Sequence, residues 1–559
     1  MTENLRSTSF VNGANDALMF PTLSSAQIAR IAKSGVTRPI AAGDVLIEAG
    51  DHIVPFFVVT GGEIEIIQPT RSGDNLVAVH GAGKFSGEAN LILGRRSLMR
   101  AVASKAGEVI QLTRERLLDL VQTDAEISEI LMRAFIYRRM ELAQHGIGDV
   151  MLVGSMHCAG TLRIREFLTR NGHPFKFVDL DRDPDVQALL DGLHVGLADI
   201  PVLICRGDVV LRNPANDAIA DCLGFNQSID RTHMRDVVIV GAGPAGLAAA
   251  VYAASEGLDA LVIEASSPGG QAGSSSRIEN YLGFPAGISG QELASFAYAQ
   301  AEKFGAQVMI ARGATALTCD RKPYRLEIGD GTTVPARTVI IATGAQYRKP
   351  DIPNLSSFEG AGVYYSATFM EAQLCGDEEV IVVGGANSAG QAAVFLSQTA
   401  ARVRMLVRGN GLSDTMSRYL VHRIEGIRNI ELQSNAEIVG LEGNGHLEHV
   451  QCCDKRTGET SRLAVRHVFL MTGASPNTAW LSGCVAMDSK GFIKTGPDLS
   501  RDELTSARWP LDRPPHLLET SLPGVFAVGD VRGGNVKRVA SAVGEGSIAI
   551  SFVHRALMD

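Results

Sequence analysis

The chain has 559 residues, 45% hydrophobic and 20% charged, a size that accommodates about three to four domains at roughly 150 residues each. A net charge of -9 and a pI near 5.9 argue against nucleic acid or an anionic membrane surface as the main partner. The eight cysteines are scattered rather than framed, and the opening MTENLRSTSF has no basic stretch followed by an apolar one; a reduced, cytoplasmic protein without a secretory signal is expected.

Residues 1–147 read as β-rich. DVLIEAGD, PFFVVTGGEIEIIQP and NLVAVHGAGKF are short β-branched runs separated by Gly/Asp turns at jelly-roll spacing, and ISEILMRAFIYRRMELAQHG (127–146) has helical periodicity. The stretch GKFSGEANLILGRRSLMRAVAS (83–104) resembles the phosphate-binding cassette of cyclic-nucleotide-binding domains. Gly87 and Glu88 match the pair whose carboxylate takes the ribose 2′-hydroxyl in that family, while Ser97 stands where its phosphate-binding Arg aligns. Arg95, Arg96 and Arg100 are close, and a buried cyclic phosphate needs a cation or several N–H donors. A cyclic nucleotide effector therefore stays open. No helix-turn-helix follows, which counts against DNA binding.

Residues 148–229 change texture to α/β. DVMLVGS is a strand, TLRIREFLTRNG an amphipathic helix closed by Gly, PFKFVDLD a strand, PDVQALLDGL a helix, and DIPVLICRGDVVL two further strands. That order resembles a thioredoxin or glutaredoxin domain, with Ile200-Pro201 where the fold keeps a cis-proline; a loop without redox function is the alternative for this proline. Cys158 in GSMHCAGTLR ends a strand ahead of a helix, where a thiolate gains from the helix N-terminus. Thr161 takes the place of a second cysteine, so a simple buried thiol in a structural domain weighs against redox chemistry at Cys158. DRTHMRD (230–236) reads as a linker.

From Asp236 onward the pattern is doubly wound α/β with two strand-turn-helix fingerprints. VVIVGAGPAGLAAAVYAA (237–254) is apolar enough to be mistaken for a membrane span, but its Gly/Pro cluster reads as strand, turn and helix. Gly241, Gly243 and Gly246 have G-x-G-x-x-G spacing, Pro244 and Ala245 open the helix, and Glu264 ends the next strand. The glycines permit a tight turn and close backbone approach, the helix N-terminus faces a pyrophosphate, and the carboxylate accepts ribose hydroxyls. A nucleotide-free Rossmann-like core is the bland alternative.

With SSPGGQ (266–271), IENYLGFP (278–285), ATG (342–344), TGASPNT (472–478), GVFAVGD (524–530) and KRVASAVGEG (537–546) in order, residues 236–559 resemble a low-molecular-weight thioredoxin reductase. The resemblance implies an FAD-binding domain in two parts, 236–354 and 481–559, around an NAD(P)H-binding domain, 355–480. It implies that Gly270, Gln271, Asn280, Thr343 and Gly344 lie beside FAD, that Gly529 and Asp530 hold the ribityl chain, and that Arg538, Val539 and Ala540 line the isoalloxazine. It also implies a homodimer.

The second fingerprint is EEVIVVGGANSAGQAAVFL, running through Gly384, Gly385, Ala386, Asn387, Ser388 and Ala389. Ala386 stands where the family has its middle Gly, and a methyl there shifts the pyrophosphate or weakens its hold without having to abolish it. RVRMLVRGNG ends without the acid of NAD sites and offers Arg408, suited to a 2′-phosphate, which favours NADPH over NADH; a solvated arginine is the alternative. Thioredoxin reductases carry a C-x-x-C pair and an acid upstream of this fingerprint. Here the four positions are Ser366, Ala367, Thr368 and Phe369, followed by Met370. Neither a hydroxyl nor a phenyl ring forms a disulfide, so Phe369 is expected to cover the flavin and, with Ser366, to gate access. Cys375 has no local partner, and the adjacent Cys452 and Cys453 should point to opposite strand faces.

These readings add up to an NADPH-dependent FAD oxidoreductase in which hydride passes from nicotinamide to flavin and on to an unidentified acceptor: a quinone, a small redox protein, oxygen or a disulfide. Two rivals remain, a disulfide reductase using Cys158 or a partner's thiols, and a nucleotide or redox sensor with little turnover. No metal, nucleic-acid or membrane partner is assigned.

Overall fold

The structure is a computed structural model. It describes residues 16–559 apart from 71–72, 88, 157, 183–189, 192–194, 197–198, 207–208, 227–228, 414–415 and 482. The front module is an antiparallel sheet of β1 (Val36–Ile40), β2 (Val45–Ile47), β3 (Phe56–Thr70), β4 (Gly73–His80) and β5 (Arg100–Leu112), ordered β1-β5-β3-β4 with β2 on β5. Helix α1 (Ala125–Gln144) follows, its start fixed by the Asp124 carboxylate accepting from the Ile127 N–H at 3.1 Å. Its Phe135 packs edge-on against Phe56 and Phe85, and all three rings are fully buried.

The middle module is a four-stranded sheet, β7-β6-β8-β9, built from β6 (Val150–Gly154), β7 (Lys176–Asp179), β8 (Val202–Cys205) and β9 (Val209–Arg212). The β6 and β7 strands run parallel, while β8 and β9 each pair antiparallel. Helix α2 (Ala159–Arg170) joins β6 to β7, and α3 (Asn216–Cys222) follows β9. The Ile200–Pro201 peptide is cis. Most of the helix expected over PDVQALLDGL lies outside the described residues.

The remainder is a pair of nucleotide-binding-type units. In the first, β10 (Arg235–Val240), β11 (Ala260–Ile263) and β12 (Gln307–Met309) pair in parallel, and β13 (Ala314–Thr318), β14 (Tyr324–Ile328) and β15 (Thr333–Ile341) complete the order β12-β11-β10-β15-β14-β13. Helices α4 (Pro244–Ser255) and α5 (Gly290–Lys303) cover one face. The second unit is the parallel sheet β17-β24-β18-β19-β20, made of β17 (Val363–Tyr364), β18 (Glu379–Val383), β19 (Arg402–Val407), β20 (Ile430–Ser434) and β24 (His467–Leu470). Between β20 and β24 lies an antiparallel sheet of β21 (Ala436–Glu442), β22 (His449–Asp454) and β23 (Thr460–Leu463). Helices α6 (Phe369–Leu374) and α7 (Asn387–Leu396) flank β18. The two units are joined through a short antiparallel pair, β16 (Ala345–Tyr347) with β25 (Ala474–Pro476). The chain then returns to the first sheet, where β26 (Val525–Ala527) pairs with β15 ahead of α8 (Val539–Ala556). Near-continuous buried runs such as 237–240 and 260–263 follow from strands covered on both faces.

Residues 230–234 lead into β10 without helix or strand, and the last two residues of the 230–236 stretch belong to that strand: Arg235 begins β10 and is 5% exposed, its guanidinium 2.8 Å from Asp259, and Asp236 accepts from Arg337 at 2.8 Å. One expectation is corrected: the thiols are not all reduced, because Cys319 and Cys484 form a disulfide across a sequence separation of 165. Their pairing comes from the final segment folding back beside β13, a long-range contact that spacing cannot foretell. Cys452 and Cys453 do alternate, the first buried and the second half-buried. Among the described residues, no helix is long and apolar enough to cross a membrane.

The three modules meet at a buried junction. Arg95 of the front module stacks 4.1 Å from the Phe225 ring centroid and donates to the Asn171 carbonyl and the Tyr298 hydroxyl at 3.3 and 3.2 Å. Beside it Arg96 pairs with Asp149 at 2.8 Å. Both arginines are under 5% exposed.

Candidate functional site

The first fingerprint forms its turn because three glycines meet three different constraints. Gly241 has φ +105°, and a β-carbon there would lie 2.4 Å from the Ala342 carbonyl oxygen. A β-carbon on Gly246 would lie 1.9 Å from the Gly241 carbonyl oxygen, so the first turn of α4 presses directly on the loop. Gly243 is different: its nearest neighbour would be the Gly270 Cα at 3.9 Å, and it lines an open cavity. Helix α4 starts immediately after it at Pro244, leaving first-turn N–H groups at the edge of that space. Glu264 clamps the floor. Its carboxylate accepts from the Ala242 and Ser266 N–H groups at 2.7 and 2.8 Å. Burial pushes this carboxyl above its usual value, and the two N–H donors oppose that shift.

The cavity is about 1080 Å³, just above the roughly 300–1,000 Å³ of ordinary ligand pockets. Of the residues chosen from sequence, Gly241, Gly243, Pro244, Ala245 and Glu264 line it from the first fingerprint, and Gly270, Gln271 and Asn280 from the following loops. Thr343 and Gly344 enter from the end of β15, held by reciprocal bonds in which the Thr343 hydroxyl donates to the Asn477 carbonyl and the Asn477 amide to the Thr343 carbonyl. Gly529, Asp530, Arg538 and Val539 close the opposite side. Burial pushes the Asp530 carboxyl up, with the Lys537 charge opposing. Arg538 caps α8 in an extended conformation and is exposed toward solvent and cavity. Gly246 and Ala540 do not line the space; the first serves packing.

The second fingerprint repeats the geometry less completely. Gly384 has φ +142°, and a β-carbon there would lie 2.5 Å from the Met471 carbonyl oxygen. Ala386 takes the helix N-cap position at φ -99°, ψ 178°, a conformation its methyl tolerates. Asn387 and Ser388 reach the cavity, whereas Gly384, Gly385, Ala386 and Ala389 stay in the turn behind it. The Asn387 side-chain Oδ1 accepts from the Ser417 N–H at 2.8 Å, fixing the helix start. Arg408 follows β19 on the surface, away from the cavity lining.

Ser366 and Ala367, the first two positions of the missing cysteine pair, line the cavity. The backbone of Phe369 begins α6, but its side chain and that of Met370 lie outside the described residues. Sequence reasoning missed Glu371, which also lines the cavity; burial pushes its carboxyl up, and Thr368 opposes that by donating its N–H at 2.8 Å and its hydroxyl. The signal was available as T-x-x-E, the signature of a helix start. Among the described residues no cysteine lines the cavity. Cys375 is fully buried, donates to the Glu371 carbonyl and is pushed up to about 12 by burial, so it is an inert thiol.

The middle module closes one wall. Ala159, Leu162, Arg163, Glu166 and Arg170 share one face of α2 and all border the cavity. Arg170 donates to the Gly270 carbonyl at 2.6 Å, and a β-carbon on Gly360 would stand 3.0 Å from that of Ala159. Cys158 occupies the N-cap position of this helix, as expected, but does not line the cavity. Thr161 is fully buried under Gly154, its hydroxyl without a hydrogen-bond partner.

In the front module, Glu88 lies outside the described residues, and Gly87 (φ +95°) borders a separate, largely apolar cavity of about 90 Å³. Drug-sized ligands occupy roughly 300–1,000 Å³. Of the cassette residues, Arg95 and Ser97 line this cavity, although the Arg95 guanidinium also bonds across the junction, while Arg96 pairs with Asp149 and Arg100 with Glu48 at 2.7 Å. A further guanidinium here is that of Arg138 of α1, which sequence reasoning missed; it donates to the Met19, Phe85 and Gly87 carbonyls.

These two sites coincide with two family matches. Residues 37–124 match the cyclic nucleotide-binding domain, and residues 235–546 match pyridine nucleotide-disulphide oxidoreductase. A thioredoxin reductase of Bacillus subtilis (strain 168) is 34% identical over 319 residues, 57% of this chain and 93% of its own length. One of Treponema pallidum (strain Nichols) is 35% identical over 314 residues, 56% of this chain and 94% of its own. The crystal structure of T. acidophilum thioredoxin reductase superposes with a TM-score of 0.52 at 30% identity, covering 59% of this chain and all of that one (100%). The chain belongs to the pyridine nucleotide-disulphide oxidoreductase family: it is a thioredoxin reductase-like oxidoreductase with a cyclic nucleotide-binding domain ahead of the catalytic units.

Proposed function

We propose that this protein is an NADPH-dependent FAD oxidoreductase that delivers electrons to a small acceptor without a dithiol at the flavin. The observation that carries it is the 1080 Å³ cavity, lined by both fingerprint helices and by no cysteine among the described residues. The residues fit FAD: Gly243 opens a cradle that a β-carbon would fill, the α4 N-terminus supplies N–H groups for a pyrophosphate, and Glu264 and Asp530 supply carboxylates for hydroxyls. FAD supplies a carrier that takes hydride from NADPH and passes two electrons on. Asn387 and Ser388 position the nicotinamide nucleotide, with Arg408 outside to meet a 2′-phosphate. Helix α2 excludes water on one side, and Ser366, Ala367 and Glu371 form the wall where thiols would otherwise stand. The middle module is read as a thioredoxin-type fold, supported by its strand order β7-β6-β8-β9 and the cis peptide before Pro201.

The test is anaerobic bleaching of the flavin spectrum by NADPH against NADH, followed by a panel of quinones, oxygen, small redox proteins and disulfides. Faster bleaching by NADPH and reoxidation by quinones or oxygen is expected; reoxidation by disulfides alone would contradict the proposal. A second reading, disulfide reduction through Cys158, is favoured by the placement of that thiol one residue before Ala159 on the cavity wall. It predicts thiol release that Cys158→Ser abolishes.

A further inference from the structure

The Cys319–Cys484 disulfide joins two segments that both run into the large cavity. Cys319 directly follows β13, whose first residue, Ala314, lines that cavity together with Gly313. Just upstream, the Arg312 N–H donates to the Glu264 carbonyl at 3.0 Å, which fastens this segment to the residue clamping the cavity floor. Cys484 follows the 3-10 turn Ala479–Leu481 and donates its N–H to the Leu481 carbonyl at 2.9 Å. That turn sets Trp480 in the cavity wall, where the indole N–H donates to the Asn477 carbonyl at 3.2 Å. The same oxygen accepts from the Thr343 hydroxyl at 2.8 Å, and Asn477, Thr343 and Gly344 all line the cavity.

The sulfur bond is a directional tie between segments otherwise packed through apolar side chains. Strand β13 is the edge of its sheet and pairs with β14. Among the described residues no backbone hydrogen bond joins it to the turn. Leu317, Leu481 and Val485 share one buried core cluster, against which both cysteines rest. Apolar packing is non-directional and leaves room for small shifts, whereas the covalent bond holds the two segments at one separation. Both cysteines are half-buried rather than enclosed, and accessible disulfides are the labile ones, because a thiolate must reach a sulfur to open them. Neither cysteine lines the cavity, so the pair is separate from the place of the missing cysteines.

We propose that Cys319–Cys484 is a thiol–disulfide exchange site for small dithiols and that opening it loosens the hold on FAD; the second effect rests on the proposed binding of FAD. A thiolate of the dithiol attacks one cysteine sulfur, the Cys319–Cys484 bond breaks, and a mixed disulfide forms while the released cysteine takes up a proton. The second thiol of the reductant then attacks the mixed disulfide, closes the reductant into a cyclic disulfide and releases the other cysteine. Two electrons and two protons pass from the dithiol to the cysteines, and no other reactant is needed. With the bond open, β13 and the turn are free to part, and the wall segments bearing Gly313, Ala314 and Trp480 part with them. FAD then binds more weakly. Linkage makes the effect mutual, so bound FAD must favour the closed disulfide by the same factor.

The experiment equilibrates the full-length protein with mixtures of reduced and oxidised dithiothreitol, with and without FAD. Alkylation and mass spectrometry of the digest then measure open and closed Cys319–Cys484, while flavin fluorescence gives the FAD affinity at each mixture. Reduction should weaken FAD at least about fivefold, and FAD should raise the ratio of reduced to oxidised dithiothreitol at half-reduction by the same factor. Cys484→Ser should bind FAD like the reduced protein and ignore dithiothreitol; the unaltered protein decides the matter if this variant fails to fold. A disulfide that opens only in denaturant, or a half-reduction point that FAD leaves unmoved, would overturn the proposal. Equal FAD affinity in both states would overturn it while leaving the flavin reading intact, and failure to bind FAD in either state would overturn the flavin reading along with it.

Discussion

Gly243 and Gly246 sit three residues apart in one motif, yet alanine should act on them in opposite ways. At Gly246 an added β-carbon lies 1.9 Å from the Gly241 carbonyl oxygen, more than 1 Å closer than real contacts allow, and backbone stands on both sides. The loop or the first turn of α4 must move, a strain of ~1–3 kcal/mol that exceeds the ~1 kcal/mol gained by alanine in a helix. At Gly243 the backbone is extended (φ -70°, ψ -178°) and the nearest atom is 3.9 Å away, so the apo fold should change by less than ~0.5 kcal/mol. Its methyl instead projects where a pyrophosphate must approach, and FAD affinity should fall at least ~10-fold, or ~1.4 kcal/mol. Urea unfolding of the deflavinated proteins gives the first quantity, and FAD fluorescence titration the second. A Gly243→Ala protein that binds FAD like the wild type would refute the assignment of this loop to the pyrophosphate, and an unperturbed Gly246→Ala apoprotein would refute the contact with Gly241.

Arg170→Ala removes the bond to the Gly270 carbonyl; flavin dissociation, followed by fluorescence recovery on dilution, should quicken several-fold with little change in the unfolding midpoint. Reducing the Cys319–Cys484 disulfide, or replacing Cys484 by Ser, opens a 165-residue separation and should lower stability in urea by ~2–5 kcal/mol. His173 is lowered to about 4 by burial, with the Arg139 and Arg95 charges adding to that and Asp149 opposing. The fold therefore holds the neutral ring: stability from this group is full above about pH 6.5 and is lost as pH falls toward 4, by ~3 kcal/mol in all. Glu302, raised to about 7 by burial against the Arg95 charge and the Tyr298 bond, has the opposite sign: its share is full below about pH 4.5 and is lost as pH rises through 7. The two slopes offset each other between pH 4.5 and 6.5, so Glu302→Gln should expose an acid-side loss of ~1.4 kcal/mol per pH unit in urea midpoints; a variant as pH-insensitive as the wild type in that range would contradict both assignments.

The nucleotide-binding units were legible because their signals are local. A strand, three small residues and a helix start lie within fifteen residues, and Gly241, Gly243 and Gly246 each carry a constraint that only glycine meets or that only an open cavity requires. Sequence also found where the cysteine pair is missing, since Ser366 and Ala367 do line the cavity. What it missed depends on contacts between distant segments. The ion pairs of Arg231, Arg235 and Asp236 in the linker stretch could not be read locally, because their partners stand near residues 330, 259 and 337. Arg95 and Arg96 stood out by proximity to Gly87; Arg95 does border the front cavity, but the middle module supplies Phe225, Asn171 and Asp149 and engages both guanidiniums at the junction. Arg138 carried no motif at all; only the packing of α1 brings it to the front cavity.

The missing thiols and the covering helix bear on one question, what can reach the flavin site. A stable macromolecular partner needs about 800 Å² of free surface on each side. One wall of the cavity is formed by α2, whose five cavity-facing residues include Arg170, bonded to the Gly270 carbonyl, and Ala159, close to Gly360. A bulky side chain at Gly360 would lever the helix away, since its β-carbon already meets that of Ala159 at 3.0 Å. On the reading proposed above, α2 on this wall hinders a protein disulfide from reaching position 366, whereas a small acceptor needs only the cavity itself. Serine and alanine there are what such an arrangement tolerates: they keep the wall short, leave no sulfur to trap electrons, and share that wall with Glu371, whose carboxyl burial pushes upward against the Thr368 bonds.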